Sequence, residues 1–246
     1  MKMMSLRLYR LLQAFILLAL VVFIGFKLIS GTLSLYINMQ YMPLTVFGIV
    51  VLAIMTLVVL RYPGLEDHEH HDSGHQHDIS PSALMILMVP LLIGILIPVH
   101  PLDATAASTR GMNVSAPLVG SSQTREFQSA ADARNILDWI VIFNSTNDLS
   151  PYVGQTARVT GFVYHDPRLP ANQFIVSRFV ITCCTADASA IGMIVTWNQS
   201  ADLKESSWVE VKGPVQDSTL GGQPIPLIEA NYVQSTSQPD QPYLYP

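Results

Sequence analysis

Apolar residues gather in three long runs within the first hundred positions, and beyond them the chain turns to short alternating stretches divided by turn residues. The first run, Leu8 to Ile29, is long enough to cross about 30 Å of hydrocarbon as a helix, and its charges, Arg10 and Lys27, lie near its two ends where they can snorkel. The second, 43–60, and the third, 83–99, are shorter but approach the roughly 17-residue minimum for a spanning helix. Three such runs leave little polar surface to cover them in water, so the pattern predicts three membrane spans. No small-x-small cleavage site follows the first run, which reads as an uncleaved span.

An odd number of crossings puts the amino-terminus and the polar carboxy-terminal half on opposite sides. Lys2 and Arg7 precede the first span, Arg10 lies at its start and Arg61 follows the second, whereas the loop 31–42 is uncharged. Positive charge favours the cytoplasmic side, so the sequence predicts a multi-pass protein of the cell membrane whose residues beyond 100 are extracytoplasmic. Lys27 lies on the side opposite to this bias. In the third run Pro90 and Gly94 weaken the helix, and the backbone groups they free need partners, such as a neighbouring helix. His100 at its exit reads as an interfacial residue.

Between the second and third runs, residues 61–82 form a polar stretch in which His68, His70, His71, His75 and His77 alternate with acids. Imidazole is a common ligand for zinc, copper or nickel, and this density offers several overlapping ligand sets. Gly74 and Pro81 predict a flexible loop, so the stretch serves either weak metal capture or as a hydrophilic spacer. Residues 103–128 are rich in small polar residues and read as an extended linker. A helix is expected next, capped by Ser129, helped by Asp132, with Ile136, Trp139, Ile140 and Phe143 on one face.

From Pro151 onward five β-like runs follow at spacings near a dozen residues, 157–166, 173–184, 190–197, 207–217 and 224–235. Gly161 and Gly213 sit within two of them, as at sharp strand bends. The expected fold is therefore a helical membrane region, 1–102, joined to a small all-β domain, 129–246, an OB-like barrel preceded by one helix, with a sandwich as the alternative.

Charge and reactive residues narrow the chemistry. The formal charge of -5 sits in the second half, which argues against nucleic-acid binding. Cys183 and Cys184 are the only cysteines. Neighbours on a strand point to opposite faces, so both meet one ion or each other only if the backbone turns there, and 185–188 can supply that turn. Three readings stay open: two thiolates with Asp187 or His165 holding a soft or borderline metal such as zinc, a strained and easily reduced disulfide, or two small hydrophobes at a strand end. Arg178 and Asp187 flank the pair and are expected to form an ion pair holding the turn, or Arg178 to favour the thiolate. The spacing is not the CxxC of thiol oxidoreductases, and neither a Ser-His-Asp order nor a phosphate loop occurs, so no catalytic residue is assigned.

Five segments carry a resemblance: GTLSLYIN at 31–38, PLLIGILIP at 90–98, TRG at 109–111, FIVSRFVITCCTADA at 174–188 and GMIV at 192–195. In these the chain resembles the YcgQ-like family of bacterial membrane proteins over nearly its whole length. Asn38, Met39 and Gln40 stand where a histidine- or proline-rich turn is expected in that family. The resemblance implies a non-enzymatic subunit partnered in the same membrane by a larger multi-span permease, with a link to metal homeostasis. It also implies that Arg178, Cys183, Cys184 and Asp187 match the family motif.

Overall fold

The computed structural model describes residues 6–62, 81–114, 130–146, 148–220 and 223–246. The loop histidines His68, His70, His71, His75 and His77 lie outside the described residues, as does Ser129. The chain divides into two compact units, 1–100 and 101–246.

The first unit contains helices α1 (Leu6–Ile29), α2 (Met42–Arg61) and α3 (Pro81–Leu96). Among the described residues, two helical segments are long and apolar enough to cross a membrane, Leu8–Ile29 and Met39–Arg61. Their side chains are not covered by protein: Phe15 is 69% exposed and Leu44 66%. Apolar surface on that scale needs lipid or another protein around it. The turn between them uses Gly31 at φ 72°, a left-handed conformation that suits glycine. Pro43 in the first turn of α2 then has no amide that the helix would have left unpaired.

The third expected span is corrected. α3 has 16 residues, a rise of about 24 Å against about 30 Å of hydrocarbon. It carries Pro90 in its interior and ends at Leu96, two residues before Pro98 and short of the expected end at Val99. Gly94 serves close packing: a Cβ there would lie 2.6 Å from Phe23 Cζ, so the absent side chain makes room for the α1 ring. Lys27 sits over the Phe23 ring at 5.6 Å and the Tyr36 ring at 5.9 Å.

The second unit differs from an all-β domain behind an extended linker. Its first element is the helix α4 (Ala104–Arg110), capped by Asp103, whose carboxylate accepts from the Thr105 and Ala106 amides at 3.0 and 3.3 Å. Strand β1 (Met112–Asn113) follows. Helix α5 (Ile136–Ser145) starts later than expected, because Arg134 is extended and Asn135 with Asp138 forms a reciprocal capping box. Its expected face is buried: Ile136, Trp139, Ile140 and Phe143 are each at most 2% exposed.

The expected β runs become β2 (Thr156–Tyr164), β3 (Gln173–Val180), β4 (Ser189–Thr196), β5 (Trp208–Leu220), and the last run divides into β6 (Gln223–Glu229) and β7 (Tyr232–Ser235); β8 (Tyr243–Leu244) completes the sheet. Pairing runs β2–β3, β3–β4, β4–β6, β6–β5 and β5–β2, a circuit that returns to its start. The sheet is mixed, since β1–β4, β4–β6 and β3–β8 are parallel. β2 and β5 approach their neighbours closely at the two expected glycines. A Cβ on Gly161 would stand 2.5 Å from the Ser177 carbonyl oxygen, and one on Gly213 would strike the Glu229 carbonyl.

α5 packs its apolar face on Val159, Val176, Met193, Val195 and Val211. A second cluster joins α4 to the strands through Ala104, Ala107, Phe162, Phe179, Ile181 and Tyr243. Phe162 stacks on Phe179 at 5.7 Å and meets the edge of Trp208 at 6.1 Å. Tyr243 also accepts the Leu102 amide at 3.1 Å, which ties β8 to the start of this unit.

Candidate functional site

β3 ends at Val180, and the chain passes through Ile181 and Thr182 to the cysteine pair before a 3-10 turn, Thr185–Asp187, leads into β4. Ile181 is fully buried and donates its amide to the Leu244 carbonyl at 3.0 Å, so the segment is anchored immediately before the cysteines. Asp187 then folds back. Its carboxylate accepts from the Cys183 amide at 2.7 Å and the Thr182 amide at 3.2 Å, while its own amide donates to the Cys184 carbonyl at 3.1 Å. An aspartate bonding to backbone amides a few residues back is a local substitute for ladder hydrogen bonds, which is why the chain reverses here.

The turn brings the sulfurs to 3.7 Å from one another. Both are free thiols, Cys183 exposed and Cys184 half-buried. The Asp187 carboxyl titrates below its ordinary value: partial burial pushes it up, but hydrogen bonds from the Cys183 amide and thiol and from the Thr182 and Cys184 amides outweigh that. The same carboxylate accepts the Cys183 thiol hydrogen, and with the neighbouring Cys184 it pushes that thiol up to about 11. Cys183 is thus held as a thiol, contrary to activation by a nearby cation.

Arg178 does not meet Asp187. Its guanidinium donates from Nε to the Pro242 carbonyl at 3.1 Å and from Nη2 to the Gln241 carbonyl, and lies 5.6 Å over the Trp208 ring. Burial lowers it to about 10, with Tyr245 acting in the opposite direction. The expected ion pair is therefore replaced by a clamp on the segment leading into β8. The reason is topological: β8 lies beside β3 with Phe179 opposite Tyr243, so the carbonyls before β8 fall within reach of Arg178.

The cation at the turn is Arg110, the last residue of α4. Its Nη1 donates to the Thr185 carbonyl at 2.7 Å and the Ala188 carbonyl at 3.1 Å, bracketing Asp187 from the other side. Sequence reasoning gave Arg110 no role, although the TRG segment that contains it was part of the resemblance. Arg110→Ala is expected to loosen the turn, raising hydrogen exchange at the Cys183 and Asp187 amides about tenfold, in line with about 1–1.5 kcal/mol for the lost bonds. Unchanged exchange at those amides would show that the turn stands without α4.

His165 is engaged elsewhere. Its Nδ1 meets Glu205 at 2.6 Å and its Nε2 meets the Ser200 carbonyl at 3.1 Å. Asp166 is likewise bound to Arg168, with Oδ2 at 2.6 Å from Nη2. Among the described residues no group of three or more His, Cys, Asp or Glu side chains is placed to hold a metal ion.

The two units together define a protein with apolar helices suited to lipid and a separate mixed-sheet domain. The chain belongs to the DUF1980 family: the family's N-terminal domain matches residues 12–113 and its C-terminal domain residues 130–246. It is similar to the UPF0703 protein YcgQ of Bacillus subtilis, 28% identical over 88% of this chain and 92% of that one. It is also similar to a Streptococcus mutans protein named "Putative two-component membrane permease complex subunit", 27% identical over the same shares. Among solved structures, a small single-stranded DNA-binding protein from Streptomyces coelicolor matches 33% of this chain and 91% of its own at 13% identity and a TM-score of 0.23, a likeness too slight to bear on fold or function.

Proposed function

We propose that this chain is an accessory, non-enzymatic subunit of a membrane permease complex, that a larger multi-span protein in the same bilayer is its partner, and that the cargo is a metal ion. The observation that carries the reading is the similarity, across both units, to a relative named as a subunit of such a complex. The uncovered apolar side chains of α1 and α2 agree with it, since a subunit packs these against lipid and a partner's helices. His165 is held by Glu205 and the Ser200 carbonyl and Asp166 by Arg168, contacts that fix loops.

The sheet unit is assigned to the extracytoplasmic side, which the basic residues near the start of α1 and at the end of α2 support only with α3 crossing as a short third span that the bilayer thins to meet. Its circuit of paired strands is read as an OB-like barrel, with Gly161 and Gly213 at its sharp bends. Cys183 and Cys184 are the assigned holders of the cargo in this unit, and the histidine loop a capture segment on the cytoplasmic side.

Affinity purification from gently solubilised membranes is expected to recover a multi-span protein in a fixed ratio to this chain. Recovery of the chain alone in several mild detergents would refute the subunit reading. A membrane-impermeant thiol reagent applied to intact cells is expected to label Cys184, and protection until the cells are lysed would move the sheet unit to the cytoplasm.

A further inference from the structure

Two adjacent cysteines in an extended strand would direct their sulfurs to opposite faces. Here they converge to 3.7 Å. The convergence is held by bonds that involve neither sulfur: the amides of Thr182 and Cys183 on Asp187, and the carbonyls of Thr185 and Ala188 on Arg110. The sulfurs themselves are not core atoms, since Cys183 is exposed and Cys184 half-buried. A turn so braced, displaying two thiols side by side at the surface, is arranged for something that takes both.

The separation, an ordinary contact of two thiols, also fits a particular ligand geometry. With metal–sulfur bonds of about 2.3 Å and tetrahedral angles, two sulfurs on one zinc ion stand about 3.8 Å apart, whereas a linear arrangement would need about 4.6 Å. The observed distance matches the edge of the tetrahedron without movement of the backbone. Both Asp187 oxygens already accept backbone amides, and among the described residues no group of three or more His, Cys, Asp or Glu side chains is placed to hold an ion. Two of the four coordination positions therefore stay open, as they do where an ion is exchanged and not stored.

Resting on the reading of this chain as a permease subunit with metal cargo, we propose that Cys183 and Cys184 form an open bidentate edge for one divalent d10 cation of the zinc class, the other two positions being filled by exchangeable ligands from solvent or a partner. On binding, two S–H bonds break, two metal–sulfur bonds form and two protons leave to solvent, with no change of oxidation state. Asp187 and Arg110 are positioning residues for this edge.

The test uses the full chain, reduced, in a mild detergent, titrated with Cd2+. Sulfur-to-cadmium charge-transfer absorption in the ultraviolet reports thiolate ligation and is blind to the histidine loop. The signal is expected to saturate at one ion per chain, to be displaced by Zn2+, and to be abolished in the Cys183→Ser/Cys184→Ser double variant. Each single Cys→Ser variant should weaken binding about a hundredfold, because the second sulfur acts at high effective concentration. Arg110→Ala, which leaves both thiols in place, should weaken it measurably while the thiol count is unchanged.

A reduced chain whose two thiols both react with a thiol reagent but which shows no charge-transfer signal would overturn the proposal. So would a signal that survives in the double variant, or a pair that re-forms a disulfide under reductant in preference to binding the ion. Copurification separates this outcome from the subunit reading. If the double variant still recovers the multi-span partner while the wild-type chain binds no Cd2+, only the ion edge fails; if Cd2+ binds but no partner is recovered, only the subunit reading fails.

Discussion

Replacing Trp139 with alanine is expected to destabilise the sheet unit by about 3–5 kcal/mol, a large share of the 5–15 kcal/mol typical of a domain. Trp139 has no exposed surface and fills the space between α5 and the strands that carry Val159, Val176 and Val211. Its ring also carries the Arg134 guanidinium at 5.1 Å, a residue only 7% exposed whose other face meets Tyr152 at 5.6 Å. Truncation thus opens a cavity and removes the aromatic surface under a buried cation at once. Trp139→Phe should cost far less, under about 1.5 kcal/mol, because the indole Nε1 is buried without a hydrogen-bond partner and its loss removes an unmet donor. Denaturant unfolding of the full chain in detergent, followed by hydrogen exchange at the α5 amides, separates the two. Equal effects from both substitutions would mean that the ring's volume does not support the fold.

What the sequence disclosed about this core follows from periodicity. The 3.6-residue spacing of Ile136, Trp139, Ile140 and Phe143 fixed which face of α5 is buried, and the alternating runs located the strands of the circuit. Two glycines within those runs marked the places where one strand's backbone lies against another's. Pairing was not legible, because alternation says which face of a strand is buried and nothing about which strand lies beside it. The parallel additions of the two-residue strands β1 and β8 are therefore visible only in three dimensions. The start of α5 was misplaced for a related reason: several polar residues upstream can cap a helix, and the reciprocal bonds of Asn135 and Asp138 decide among them.

Two spans were legible from apolarity, the first with its bounds Leu8–Ile29, whereas the third run forms a helix too short to be counted with them. The run was counted to Val99, whereas α3, which carries Pro90 inside it, ends at Leu96, two residues before Pro98. At the cysteine turn, the need for a reversal over 185–188 could be argued from neighbouring residues, whereas Asp187, expected to pair with Arg178, instead accepts the Thr182 and Cys183 amides. Arg178 and Arg110 could not be assigned, since the carbonyls they bind lie more than 60 positions away. Long-range cation-to-carbonyl bonds leave no charge pattern behind, and the nearest opposite charge, Asp187, was the wrong partner to infer for Arg178.

Alkylation of Cys183 near neutral pH is expected to run about a hundredfold slower than that of a thiol titrating near 9, because a thiol held at about 11 supplies about a hundredth of the thiolate. The sign follows from the carboxylate. Asp187 stays ionised at neutral pH, accepts the thiol hydrogen and repels the thiolate, so both effects favour the protonated form. The rate should climb tenfold per pH unit and continue to rise until the pH passes about 11, where an ordinary thiol would have levelled off two units earlier. Measured in a Cys184→Ser background, which reads one sulfur and removes the Cys184 share of the shift while keeping the larger Asp187 share, Asp187→Asn should move the profile toward lower pH, since an amide still accepts from the Thr182 or Cys183 backbone but carries no charge. A profile that levels off near 9 with Asp187 intact would mean that the carboxylate is turned away from the sulfur in solution.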